Sequence, residues 1–242
     1  MIGWMDVALV LVFAAAWPAF DYFVLWPRHV RAVGAGVADA RSRTYRRTLW
    51  EEWALAAAVV VLMTRSGRNL GMVGLHWPHG WRLWLGVALA ATYLVLIVTQ
   101  VRALAARPAS LQSLKQRLQP LRALIPHTPQ ELRLFIPLSI TAGFCEELLF
   151  RGYLVWVLRM SMGLYPAAGV SMIAFGLGHG YQGAKFGIRA FLAGMAMGAL
   201  ALVTGSLVPG MVLHAMIDIG SGLVTYMAMR TPDAPVVGDV AA

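Results

Sequence analysis

Three groups of residues in this sequence are of the kinds that carry out hydrolysis, and each falls in an apolar stretch. The first is Phe144-Cys145-Glu146-Glu147-Leu148-Leu149-Phe150-Arg151. On a helix Glu147 and Arg151 lie four residues and about 40° apart, with the acid N-terminal to the base, so they can pair. Glu146 lies about 100° further round and needs a different partner. A carboxylate in apolar surroundings without a cation of its own suits a general base. The second group is Phe175-Gly176-Leu177-Gly178-His179, and the third is His214-Ala215-Met216-Ile217-Asp218, whose ends again share one helix face.

The remaining ionisable residues read differently. Of the six histidines, His29, His76, His79 and His127 fall in predicted loops, and only His179 and His214 fall within or at the end of apolar blocks. Asp21, near the end of the first block, reads as interfacial. Cys145 reads as a packing residue, since it points about 100° away from Glu146 and buried cysteines mostly pack. Gly194 and Gly198 form a small-xxx-small pattern that lets helices approach. Gly176, Gly178, Gly180, Gly183 and Gly187 are expected to thin the fifth span near its cytoplasmic end.

Peptide hydrolysis needs a base that activates water and donors aimed at the developing oxyanion. Glutamate and histidine supply both directly. Glu146, His179, His214 and Asp218 are also a ligand set for a zinc-like divalent ion, which would lower the pKa of its bound water. With no HExxH helix present, the metal-independent glutamate route is favoured and no cofactor is required, zinc being the alternative.

The elements that must position these residues are membrane helices. The chain has 242 residues, of which 59% are hydrophobic and 13% charged, against about 25% charged in a soluble domain. Ionisable side chains are costly in lipid, so those that persist there are functional candidates. Apolar blocks predict seven spans, at 5–26, 48–64, 81–101, 133–158, 163–180, 187–204 and 206–229. The fold expected is an all-α polytopic membrane bundle of about seven transmembrane helices. Residues 1–131 supply N-terminal spans and loops, 132–230 the core helices, and 231–242 a disordered tail.

Charge orients that bundle. The net charge is +9. Arg28, Arg31, Arg41, Arg43, Arg46 and Arg47 follow the first span, and Arg102, Arg107, Lys115, Arg117, Arg122 and Arg133 follow the third. Together with Lys185, Arg189 and Arg230 they fall on one side, against Arg65, Arg68, Arg82 and Arg159 on the other. The positive-inside rule then puts the N-terminus outside and the C-terminus in the cytoplasm, in a bacterial plasma (inner) membrane. The basic residues lie between apolar blocks, without the aromatic interleaving of a nucleic-acid surface, so lipid headgroups are the expected partner and nucleic acid is not. The segment before the first block lacks the basic region of a cleavable signal. In the proline-cut connection 103–131, Ser110–Leu118 reads either as a basic amphipathic helix on the membrane surface or as a solvated loop. The single cysteine excludes an internal disulfide.

Glu146-Glu147-x-x-x-Arg151, Phe175-x-x-x-His179 and His214-x-x-x-Asp218, in that order over residues 133–222, resemble the motif set of the CPBP intramembrane protease family. That family includes CAAX prenyl endopeptidases of the Rce1 type, Abi proteins and lysostaphin-resistance-like proteins. The resemblance implies an endopeptidase whose site sits among the core helices and which cuts a membrane-associated peptide or protein near its membrane end. It implies that Glu146 and His179 activate a water, that His214 and the residue four beyond it stabilise the oxyanion, and that Glu147, Arg151 and Phe175 shape the site. The last motif position is often asparagine in the family, and here it is Asp218. An ionised carboxylate cannot donate to an oxyanion, so Asp218 either stays protonated or orients His214. Two other classes remain open: a proton-coupled transporter, which would also place acids and histidines in helices, and a non-enzymatic membrane scaffold.

Overall fold

The computed structural model describes residues 2–232, and among these there is no strand. The described residues form eight helices: α1 (Trp4–Gly34), α2 (Ala40–Arg65), α3 (Trp81–Ala105), α4 (Pro108–Arg117), α5 (129–162), α6 (Leu164–Gly178), α7 (Ala184–Thr204) and α8 (Val208–Arg230). The all-α bundle is therefore as the sequence predicts, and each predicted span lies within or largely overlaps one helix. Four of them, α1, α3, α7 and α8, are long and apolar enough to cross a membrane by length and composition. The seven expected spans are thus seven helices, of which four meet that criterion. α2 carries too many charges in its first half, α5 carries Glu146, Glu147 and Arg151 at its centre, and α6 is too short. Only Thr231 and Pro232 of the tail expected at 231–242 are among the described residues.

Backbone physics explains the irregular helices. α1 contains Pro18 and Pro27, each of which leaves the carbonyl four residues earlier without its donor. Those carbonyls, on Ala14 and Phe23, fall in the two stretches of α1 wound as π-helix, Val12–Ala16 and Asp21–Leu25. A wider turn lets a donor further along the chain take over, as a helix in lipid requires. α5 begins with a capping box, in which the Thr128 hydroxyl accepts from the Glu131 N–H (3.1 Å) and the Glu131 carboxylate accepts from the Thr128 N–H (3.0 Å). Its middle turns, Glu147–Leu154, are π-wound and every residue in them is buried. α5 is accordingly the axis of the bundle, surrounded by α2, α6, α7 and α8.

Small residues set the closest approaches to that axis. A Cβ on Gly143 would lie 2.7 Å from the Ala215 nitrogen and 2.8 Å from the Met211 carbonyl, so the α5 and α8 backbones touch there. A Cβ on Gly152 would meet the Val73 carbonyl and Leu207 at 2.9 Å, which brings the turn Leu70–Val73 onto α5. α2 packs on α5 through Trp53, which stacks on Phe144 at 5.3 Å and donates to the Thr141 hydroxyl at 2.9 Å. α3 lies at the periphery, with no buried residue, and reaches α8 through the Tyr93 hydroxyl, which donates to the Ile217 carbonyl at 3.3 Å.

Both ends of the bundle are tied. At one end the fully buried Asp6 accepts from Arg68 (2.6 and 3.0 Å), the Tyr153 hydroxyl (2.7 Å) and the Gly3 N–H (2.7 Å). At the other, the segment after α4 is held by its carbonyls. His29 donates to Ala123 (2.9 Å) and accepts from the Thr44 hydroxyl (2.8 Å), Arg41 donates to the Arg122 carbonyl, and the Tyr45 hydroxyl donates to Leu124. His29 was expected in a loop; it lies instead within α1, buried, as a structural hydrogen-bonding residue. Asp21 is paired with Arg47 at 3.1 Å. The helix expected at Ser110–Leu118 forms over Pro108–Arg117. Its Leu111 and Leu118 pack with Leu121, Ile125 and Ala228 of α8, so protein covers its apolar side.

Candidate active site

The three predicted groups meet around the centre of α5. Glu146 closes the regular first part of that helix and Glu147 opens the π-wound part. Glu147 is fully buried, and its Oε1 faces two partners. Arg151 Nη1 lies 3.4 Å from it, and His214 Nδ1 lies 3.0 Å from it. The expected Glu147–Arg151 pair is therefore present, and it also grips an imidazole from α8. Because an ionised carboxylate only accepts, His214 must carry its proton at Nδ1.

That contact turns Nε2 of His214 toward the open part of the site. It lies 3.7 Å from Glu146 Oε2 and 3.7 Å from Asp218 Oδ2, ion-pair separations longer than a hydrogen bond. The Asp218 side chain is 36% exposed, against 13% for His214 and 17% for Glu146, so the site opens on the Asp218 side.

Phe175 joins the second group to the others. The Arg151 guanidinium sits 3.9 Å over its ring, in cation–π geometry. His179 lies 4.5 Å from the same ring and His214 lies edge-on at 6.2 Å. His179 stands just past the end of α6, and its Nδ1 lies 2.9 Å from the Phe175 carbonyl. That carbonyl requires a donor, so Nδ1 carries the proton and Nε2 is left as an acceptor. No hydrogen bond or ion pair links His179 to Glu146 among the described residues; the two face the site from different helices.

The glycines contribute more than expected. A Cβ at Gly194 would lie 2.7 Å from Arg151 Nη2, so one half of the small-xxx-small pair makes room for the guanidinium. Gly198 packs on Met172 of α6, which is the helix-approach role. Gly176 faces Phe191 and the Gly187 carbonyl, whereas Gly178, Gly180 and Gly183 meet nothing within 4 Å. Cys145 is fully buried in the core cluster, as a packing residue.

One acid at the site went unrecognised in the sequence. Glu52, on α2, lies within electrostatic range of Glu146 and Asp218. Its Oε2 is buried and has no hydrogen-bond partner among the described residues, and the same holds for Oε2 of Glu146. The signal was present, since Glu52 is an ionisable residue beside an apolar run. A second span starting at residue 48 has Glu52 near its start, whereas α2 starts at Ala40 and carries Glu52 well inside. Among the described residues no three His, Cys, Asp or Glu side chains converge closely enough to hold a metal ion.

Residues 128–220 match the model of a known family, described as type II CAAX prenyl endopeptidase Rce1-like. That segment is similar to an Rce1-like domain, and it contains all three groups together with the capping box that starts α5. No curated protein and no solved structure matches the chain. The match and the apolar helices support an integral membrane protease of the CAAX type.

Proposed function

We propose that the protein is an intramembrane endopeptidase in which Glu146 activates a water and His214 meets the oxyanion. The observation that carries this reading is the Glu147–His214 hydrogen bond, which turns the imidazole so that Nε2 looks at Glu146 and at the open side of the site. Glu146 takes a proton from water, and the resulting hydroxide adds to the scissile carbonyl carbon. His214, protonated on both nitrogens, donates through Nε2–H to the carbonyl oxygen as it becomes negative. Glu146 then passes its proton to the leaving nitrogen as the C–N bond breaks. His179 supports the attack by accepting from the water at Nε2, the nitrogen left free by the Phe175 carbonyl. Asp218 stands near His214 Nε2 and stabilises the imidazolium without donating.

No metal enters this route. Glu146, His179, His214 and Asp218 would be the ligands of a zinc-dependent version of the same protease. The substrate class that the family supports is a peptide or protein held at the membrane by a prenylated cysteine near its C-terminus, cut close to that anchor. The basic residues gathered at the α4 end of the bundle support a cytoplasmic position for that end and for the C-terminus, in a bacterial plasma membrane. The test is cleavage of a farnesylated peptide ending in a CaaX sequence by the purified protein in detergent, beside Glu146→Gln. Cleavage that is lost in the variant supports the reading, and equal cleavage by both removes it. Cleavage lost by the wild type on adding a chelator would favour the zinc version.

A further inference from the structure

The Rce1-like segment begins at residue 128, yet the site it contains is completed from outside it. α2 delivers Glu52 to the same place as Glu146 and Asp218, and the packing that fixes it there is specific. Trp53, the next residue, stacks on Phe144 and donates to Thr141 on the turns of α5 that precede Glu146. Oε2 of Glu52 and Oε2 of Glu146, whose carboxyls lie within electrostatic range of each other, are buried without a hydrogen-bond partner among the described residues, as is Oε2 of Glu147. A buried acceptor left unmet is costly, and neighbouring ones call for a hydrogen-bond donor between them.

Charge balance bears on how many of these acids are ionised. Glu147 is balanced by Arg151, and Glu51 and Asp21 are balanced by Arg47. Among the described residues that leaves Glu52, Glu146 and Asp218 with the imidazoles of His179 and His214 to offset them; the Tyr181 hydroxyl and the Cys145 thiol nearby bring no positive charge. Like charges confined in low dielectric do not all ionise, and one carboxyl of such a group keeps its proton.

We propose that Glu52 is a positioning residue of this site, neutral at rest, which with Glu146 brackets the hydrolytic water. The water donates one hydrogen to the Glu146 carboxylate and the other to the Glu52 carboxyl oxygen. Its lone pair then points away from both acids, toward the substrate carbonyl. Glu52 neither gains nor loses a proton in the step; it fixes the direction of attack. This inference rests on the reading of Glu146 as the base.

Two measurements test it. The first does not depend on turnover: the infrared carbonyl band of protonated carboxylic acids, at neutral pH, in the wild type and in Glu52→Gln. Loss of one such component supports the proposal, and an unchanged band overturns it. The second compares kcat and KM on the farnesylated CaaX peptide for Glu52→Gln, Glu52→Leu and Glu146→Gln, with thermal midpoints as the check on folding. An amide keeps an acceptor oxygen, so Glu52→Gln lowers kcat about threefold, while Glu52→Leu lowers it about 100-fold with KM unchanged, the scale of a lost positioning contact in the water step. Removing a lone buried acid for an apolar residue does not itself threaten the fold. Wild-type kcat in Glu52→Leu, or an equal loss in both Glu52 variants, overturns the inference. Should Glu146→Gln stay active, the underlying reading fails as well; should it be dead while Glu52→Leu is active, only the inference fails.

Discussion

Oε1 of Glu147 lies 3.0 Å from Nδ1 of His214 and 3.4 Å from Nη1 of Arg151, so a single buried oxygen joins the acid–base group on α5 to the imidazole on α8. The consequence is directional. Glu147 and Arg151 hold the tautomer and the ring plane of His214, and Glu146, one residue earlier, stays outside that pair.

Glu146→Gln is expected to abolish peptide cleavage while leaving the thermal midpoint within a degree or two of the wild type. The amide is nearly isosteric but is no base, and base catalysis is worth about 10²–10⁴-fold. Single-turnover rates on the farnesylated peptide check this. Retention of a tenth of the wild-type rate would remove Glu146 from the role of base.

Arg151→Met should behave as a folding defect. Its side chain is 3% exposed and balances a fully buried carboxylate, and stranding one member of such a pair costs about 3–5 kcal/mol. His214 remains as a second partner of Glu147, which places the expected loss at the lower end of that range. Thermal unfolding in detergent measures it. An unchanged midpoint would mean that His214 alone balances Glu147.

Gly143→Ala should separate the two halves of the site. The added methyl would sit at 2.7–2.8 Å from the α8 backbone at Ala215 and Met211, which must move. Overpacking of this kind costs about 1–3 kcal/mol. Because His214 is adjacent to Ala215, kcat should fall far more than stability does. Equal activity in Gly143→Ala and wild type would show that the α5–α8 distance does not govern the reaction.

Asp218→Asn tests the position at which the chain leaves the commoner family pattern. The amide can accept from or donate to the same neighbours, and Asp218 sits 3.7 Å from His214 Nε2, beyond a direct hydrogen bond. Activity is expected to drop less than tenfold, a smaller loss than removal of a base brings, and to remain indifferent to chelators. A variant that becomes chelator-sensitive would instead make Asp218 a metal ligand.

Stability should fall on acidification through a residue far from the site. Burial, helped by Arg41, lowers the pKa of His127 to about 4 against the opposing pull of Glu131. The native state therefore holds His127 neutral where the unfolded chain protonates it, with an ordinary value of about 6.5. Its contribution is full above about pH 6.5, declines as the pH falls toward 4, and levels off below that. In His127→Gln the slope of the thermal midpoint against pH over that window should flatten. An unaltered slope would place the acid sensitivity in other groups.

Much of this was legible in the sequence because lipid penalises charge so strongly. Seven helices could be read from apolar blocks, and Glu146, His179, His214 and Asp218 stood out within them as residues with no business in hydrocarbon. Helix ends were harder to place. α2 extends eight residues before its apolar block, and those residues are polar because they clasp the segment after α4. That extension hid Glu52, and the run of α1 past residue 26 to Gly34 takes in His29, which a span ending at 26 leaves in a loop. The π winding at Glu147–Leu154 left no local signal either, since no proline accounts for it; it appears only when α5 is seen enclosed on all sides.

The tie at Asp6 gives the protein a kind of modularity that differs from its motif map. Arg68 and Tyr153 meet on that carboxylate, as do the first turn of α1 and the second half of α5. At the opposite end Arg41, Tyr45 and His29 hold the stretch that leads into the Rce1-like segment. The segment bearing the motifs is thus gripped at top and bottom by a cradle made of α1 and α2. Exchanging that cradle for the N-terminal helices of another protein with the same motifs would keep every motif residue and still dismantle the geometry in which they work.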